Sequence, residues 1–118
     1  MARTLTLAGL LLVIIMAPAH GQAPMPAFTG RALLNQCEAG VREQSTENAV
    51  RFALCMGFVH GVTAGLSVLP SVVCLPPGEN VRIMTQKFTA WLQQHPELQA
   101  QPAGEAARAW VLGTYPWH

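Results

Sequence analysis

Between Phe52 and Leu69 the chain carries no carboxylate, no lysine and no arginine, and it sets Ala53, Gly57, Gly61 and Gly65 at four-residue intervals. Four-residue spacing stacks side chains on a single face of a helix, and small residues there let a neighbouring backbone approach closely. Each interior glycine costs about 0.8–1.0 kcal/mol relative to alanine, so close packing has to offset three of them or the helix breaks. The segment is therefore expected to be a helix-packing element. Its neighbour could be another helix of the same domain, a partner protein or a membrane helix.

The amino terminus narrows this choice. Arg3 precedes an apolar and small run from Leu5 to Met16, followed by Ala17-Pro18-Ala19, the layout of a secretory signal peptide rather than of a membrane span of about 20 residues. Residues 1–19 are assigned to the leader, with cleavage before His20; residues 20–27 form a flexible mature terminus, and residues 28–118 a single domain. Loss of Arg3 leaves Arg31, Arg42, Arg51, Arg82, Lys87 and Arg108 against Glu38, Glu43, Glu47, Glu79, Glu97 and Glu105. A mature chain this close to neutral, with no basic run, lacks the electrostatic footprint of a nucleic-acid binder.

Export exposes Cys37, Cys55 and Cys74 to an oxidising compartment. A short helix around Leu33 and the glycine helix, joined by the polar stretch from Glu38 to Glu47, should run antiparallel and bring Cys37 to Cys55. That bridge would contribute about 3 kcal/mol through the entropy of the unfolded loop it closes. Cys74, beyond Pro70, is expected to be an unpaired thiol, bonded to another molecule or simply a small buried residue.

The remaining pattern is helical. Thr29 can cap a helix through Leu33, Leu34 and Cys37, Ser45 or Thr46 can cap the glycine helix, and Pro70 sets its limit. Asn80 caps a third helix with Ile83, Met84, Phe88, Trp91 and Leu92 on one face, ending at His95-Pro96. A last helix from about Pro102 carries Ala103, Ala106, Ala107, Trp110 and Val111 inward. No segment alternates with period two. The fold class is all-α, a small compact bundle of about four helices with one intrachain disulfide.

Catalytic patterns are scarce. The chain has no aspartate, and Cys55 and His60 lie about 140° apart around a helix, so they do not form a nucleophile–base pair. Neither Cys-x-x-Cys nor His-x-x-x-His spacing occurs, and no metal or other cofactor is expected. Among the tryptophans, Trp91 and Trp110 fall on apolar faces, which leaves Trp117 as the surface candidate. His60, Thr63 and Ser67 make the glycine helix a poor membrane span, so no stable span is expected once the leader is removed.

Several landmarks resemble, in order and spacing, the Rap/Tai immunity proteins associated with bacterial type VI secretion. They are Phe28-Thr29-Gly30, the run from Cys55 to Val62, Cys74-Leu75-Pro76-Pro77-Gly78, Trp91-Leu92, His95-Pro96 and Tyr115-Pro116. The resemblance implies a small helical, disulfide-containing periplasmic protein that binds and occludes a cognate cell-wall-cleaving amidase, not an enzyme. Trp117 stands where relatives commonly carry a cysteine, the usual partner of Cys74. Thr63 and Ala64 stand where an acidic residue often follows the central glycine motif.

The expected partners are thus a secreted amidase toxin and a second copy of the chain, with no nucleic acid. The alternative is a chaperone-like envelope protein without a dedicated toxin. Contact with a partner is placed on positions that interrupt helices, namely Pro76, Pro77, Gly78, His95, Pro96 and Glu97.

Overall fold

The structure is a computed structural model and describes residues 27–118. The expected leader over 1–19 and nearly all of the expected flexible stretch over 20–27 lie outside the described residues. Five α-helices follow: α1 (Gly30–Glu38), α2 (Thr46–Ser67), α3 (Val81–Gln93), the single turn α4 (Pro96–Gln99) and α5 (Ala103–Thr114). A 3-10 turn, Ala39–Val41, continues α1, and no strand occurs among the described residues.

Local chemistry sets the helix starts. The hydroxyl of Thr29 accepts from the amide of Ala32, that of Ser45 from the amide of Asn48, and the Asn80 side chain from the amides of Arg82 and Ile83. Each cap satisfies donors that the first helical turn leaves without partners. α2 ends at Ser67, before Pro70, and the connector to α3 turns at Gly78, whose φ of 77° is the left-handed region that glycine enters without a steric cost.

α1 lies at the centre and contacts all four other helices. It contributes Leu33, Leu34 and Cys37 to a core completed by Cys55 and Val59 from α2, Met84, Phe88 and Leu92 from α3, and Ala106, Ala107, Trp110 and Val111 from α5. Phe88 anchors the aromatic part, edge-on to Trp110 at 5.5 Å between ring centroids and stacked with Trp91 at 6.4 Å. The Cys37–Cys55 disulfide joins the last turn of α1 to α2, while Cys74 is a free thiol.

Three features depart from the sequence expectations. α4 occupies a stretch read as a plain turn after His95-Pro96. It is fixed by buried Gln99, whose side chain donates to the Leu92 carbonyl at 2.9 Å and accepts from Arg31 at 2.6 Å. Ile83, assigned to the inner face of α3, is 45% exposed, and Met84 and Thr85 take the buried positions.

The third departure concerns the glycine stripe. Ala53, Gly57, Gly61 and Gly65 are exposed, and a Cβ built on any of the three glycines would meet nothing within 4 Å. The close contact expected of this stripe is therefore not made to α1 or α3 within the described domain. The core is reached instead by Phe52, Cys55, Val59 and Thr63, roughly a quarter-turn or more away around α2.

Close approach occurs at other glycines. A Cβ on Gly30 would run into the Leu98 carbonyl oxygen and lie 3.0 Å from the Gln99 Cα, because the amide of Gly30 donates to the Gln101 carbonyl at 2.8 Å. A Cβ on Gly40 would strike the ring of Phe52.

Two predictions follow from this packing. Gly57→Ala, Gly61→Ala and Gly65→Ala should each raise the unfolding free energy by about 0.5–1 kcal/mol, since helix propensity is gained with no clash. Gly30→Ala should lower it by about 1–3 kcal/mol, because backbone has to move; urea denaturation of the four variants gives both signs. Thiol titration under denaturing, non-reducing conditions should return one thiol per chain, and Cys37→Ala/Cys55→Ala should cost about 3 kcal/mol.

Candidate functional site

The polar link between α1 and α2 is shaped rather than slack. Its 3-10 turn is continuous with α1, its start is tied to α2 by the disulfide, and Gly40 lies close against the Phe52 ring. The side chain of Asn48 donates to the Glu43 carbonyl at 2.6 Å, and the Ser45 cap closes the segment. Val41 stands out at its tip, 82% exposed.

Two depressions flank the Gly40–Phe52 contact. The larger, of about 550 Å³, is bounded by the link from Ala39 to Ala49, by Phe52 and by Arg82 at the start of α3. The smaller, of about 300 Å³, runs along α3 past Gln86, Thr89, Ala90 and Gln93, with Val41 on its other side. The guanidinium of Arg82 sits over the Phe52 ring, 5.2 Å from its centroid.

Residues singled out from the sequence are distributed as follows. Pro76, Pro77 and Gly78 are exposed before the start of α3; Pro96 and Glu97 are exposed beyond its end. Thirteen helical residues, roughly 20 Å, separate the two groups, so they do not form one patch by themselves. His95 is half-buried, with its ring stacked on Trp91 at 4.2 Å and its Nδ1 2.6 Å from the Trp91 carbonyl oxygen. Trp117 is 55% exposed. The sulfur of Cys55 is in the disulfide and His60 is exposed, so the two share no site. Among the described residues no cluster of three His, Cys, Asp or Glu side chains could hold a metal ion.

The exposed side of α3 and the stapled link join the separated ends. Sequence reading missed this surface because Arg82 and Gln86 looked like an ordinary solvated face and residues 38–47 like a connector. The available signal was Gly40 between an assigned cysteine and an assigned cap, together with Phe52 at the first position of the charge-free stretch.

A second polar feature closes the chain. The amide of Cys74 donates to the Tyr115 carbonyl at 3.0 Å, Val73 pairs with Pro116, and the buried Tyr115 ring meets Trp110 edge-on at 5.6 Å. Burial, and then the nearby negative charge of Glu79, raise the Tyr115 pKa. The hydroxyl itself has no partner within hydrogen-bonding distance, so Glu79 acts on it through charge rather than through a formed bond.

The class that the fold defines is a small all-helical domain stapled by one disulfide, with open depressions on its surface. The chain belongs to the Rap1a immunity protein family, whose model matches residues 29–116. No curated protein and no solved structure matches it. The matched region begins at the Thr29 cap and ends at Pro116, so it takes in all five helices and the disulfide.

Tyr115 yields a prediction with a defined sign. Its folded pKa lies above the ordinary value of 10.0, so its contribution to stability is complete below that pH and is lost as pH rises through 10 toward the folded value. Tyr115→Phe should be close to neutral at pH 7, because it removes a hydroxyl without a bonding partner, and should flatten the alkaline decline. Denaturation midpoints at pH 7 and above pH 10 measure both effects.

Proposed function

We propose that the chain is an exported immunity protein that binds a cell-wall-cleaving amidase delivered by type VI secretion and blocks it by occlusion. Family membership over residues 29–116 carries this reading. A leader at the amino terminus, a disulfide suited to an oxidising compartment and a preorganised surface are consistent with it. The working compartment is then the periplasm, and the protein acts by binding rather than by catalysis.

The toxin-contacting surface is proposed to run along α3 from Pro76, Pro77 and Gly78 to His95, Pro96 and Glu97. The stapled link and the exposed residues of α3 lie between these ends. A second copy of the chain is the other proposed partner. Ala53, Gly57, Gly61 and Gly65 are spaced symmetrically about position 59, so a two-fold axis there would set Gly57 against Gly61 and Ala53 against Gly65 of the other copy. The charge-free face brings no like charges together.

Periplasmic co-expression of the full chain with a type VI amidase effector from the same genome should prevent lysis, and the two purified proteins should form a stable complex. Alanine substitution at residues 76 and 77 or at 96 and 97 should weaken that complex at least tenfold while leaving the melting temperature nearly unchanged. Absence of both protection and binding removes the immunity reading. Loose binding to many unfolded proteins instead favours a chaperone-like role. Self-association is read separately: Gly61→Leu should shift a dimer to monomer in light scattering.

A further inference from the structure

The domain has six basic residues among those described, and four of them have polar partners. Arg51 pairs with Glu47 at 2.8 Å, Lys87 with Glu79 at 3.4 Å and Arg108 with Glu105 at 3.5 Å, while Arg31 donates to Gln99. The guanidinium groups of Arg42 and Arg82 make neither an ion pair nor a side-chain hydrogen bond among the described residues. These two line the same depression, the one floored by Phe52.

We propose that this basin seats a carboxylate-bearing loop of the bound toxin, with Arg42 and Arg82 as its two anchors. The inference deepens the immunity reading and rests on it. Unbalanced charge is the first ground. The one carboxylate on the wall, Glu43, forms an ion pair with neither arginine, which leaves a local excess of positive charge in a molecule otherwise near neutral.

Geometry is the second ground. A guanidinium lying over an aromatic ring keeps its N–H edge free, and that edge matches a carboxylate in a two-pronged hydrogen bond. The Arg82 guanidinium carbon lies 5.2 Å from the Phe52 ring centroid, within reach of such an arrangement. Rigidity is the third. Arg42 follows the 3-10 turn held by the disulfide and by Gly40 on Phe52, so less conformational freedom is lost when a partner docks. Exposed Val41, which lines the adjoining smaller depression, adds an apolar contact beside the charged ones. Arginine flanked by aromatic and aliphatic surface is a common composition of binding hot spots.

Two measurements on the full mature chain test the assignment. In the first, that amidase effector is titrated with wild type, Arg42→Glu, Arg82→Glu and the double variant, with Arg108→Glu as control. The single variants should lose about tenfold in affinity and the double variant about a hundredfold or more, while Arg108→Glu and all melting temperatures stay unchanged. Full affinity of the double variant overturns the basin while leaving the immunity reading intact.

In the second, NMR follows the arginine Nε–H signals as an N-acetylated hexaglutamate peptide and, separately, inorganic phosphate are added. Saturable shifts at Arg42 and Arg82 with the peptide, absent in Arg42→Ala/Arg82→Ala and much weaker with phosphate, support a carboxylate-loop site. Equal response to phosphate, or none to the peptide, overturns it. This arm decides the basin's chemistry even when the amidase itself does not bind, an outcome that would count against the immunity reading alone.

Discussion

The bond between Cys37 and Cys55 joins the last turn of the central helix to the longest one, and most of the architecture can be built outward from it. α1 and α2 both pack on α3 and on α5, so fixing α1 on α2 fixes the frame against which those two helices pack. The same bond sets where the link over residues 38–45 leaves α1 and where it rejoins α2. A domain of about 90 residues buries a smaller fraction of its surface than a large one does, which makes a covalent constraint on the unfolded chain correspondingly valuable. Here the constraint also shapes a surface. Phe52, one turn before Cys55, is held where Gly40 can approach its ring and Arg82 can sit over it.

Much of the fold was legible because its determinants are local. Thr29, Ser45 and Asn80 act as caps as their positions suggest, Pro70 limits α2, and the apolar spacing around Phe88 and Trp110 marks inner faces. The disulfide followed from two antiparallel helices and a short link. The single-turn α4 was not legible, since a four-residue helix has too little periodicity to register, and it depends on Gln99 bonding to a carbonyl seven residues earlier. Pro96, read as a terminator, is also a favourable first residue for the next turn.

Glycine is where sequence reasoning failed most instructively. A stripe of small residues announces that something can approach closely, but not from which side, because Cβ-sized gaps on the inner and outer faces of a helix look alike in one dimension. Residues required for close approach were isolated glycines, Gly30 against α4 and Gly40 against Phe52, and neither belongs to a repeating pattern. The candidate surface was hidden for a similar reason. Arg42 and Arg82 are forty residues apart and unremarkable singly; only the fold makes them neighbours on one depression and leaves both without a carboxylate.

α2 remains the element whose sequence exceeds what this chain's own packing asks of it. A helix that buries one face and wets the other normally divides its residues accordingly, with polar side chains outward. α2 turns Val50, Leu54, Gly57, Gly61 and Gly65 outward instead, and its length and composition would suit a membrane span. Phe52, Cys55, Val59 and Thr63 meanwhile pack into the core, and the disulfide fixes the helix there. The outward glycines weaken the lone helix without relieving any clash inside the domain, so their cost is not offset by intrachain packing. That imbalance is the physical reason the immunity proposal includes a second copy of the chain on this face, opposite in character to the charged basin assigned to the toxin.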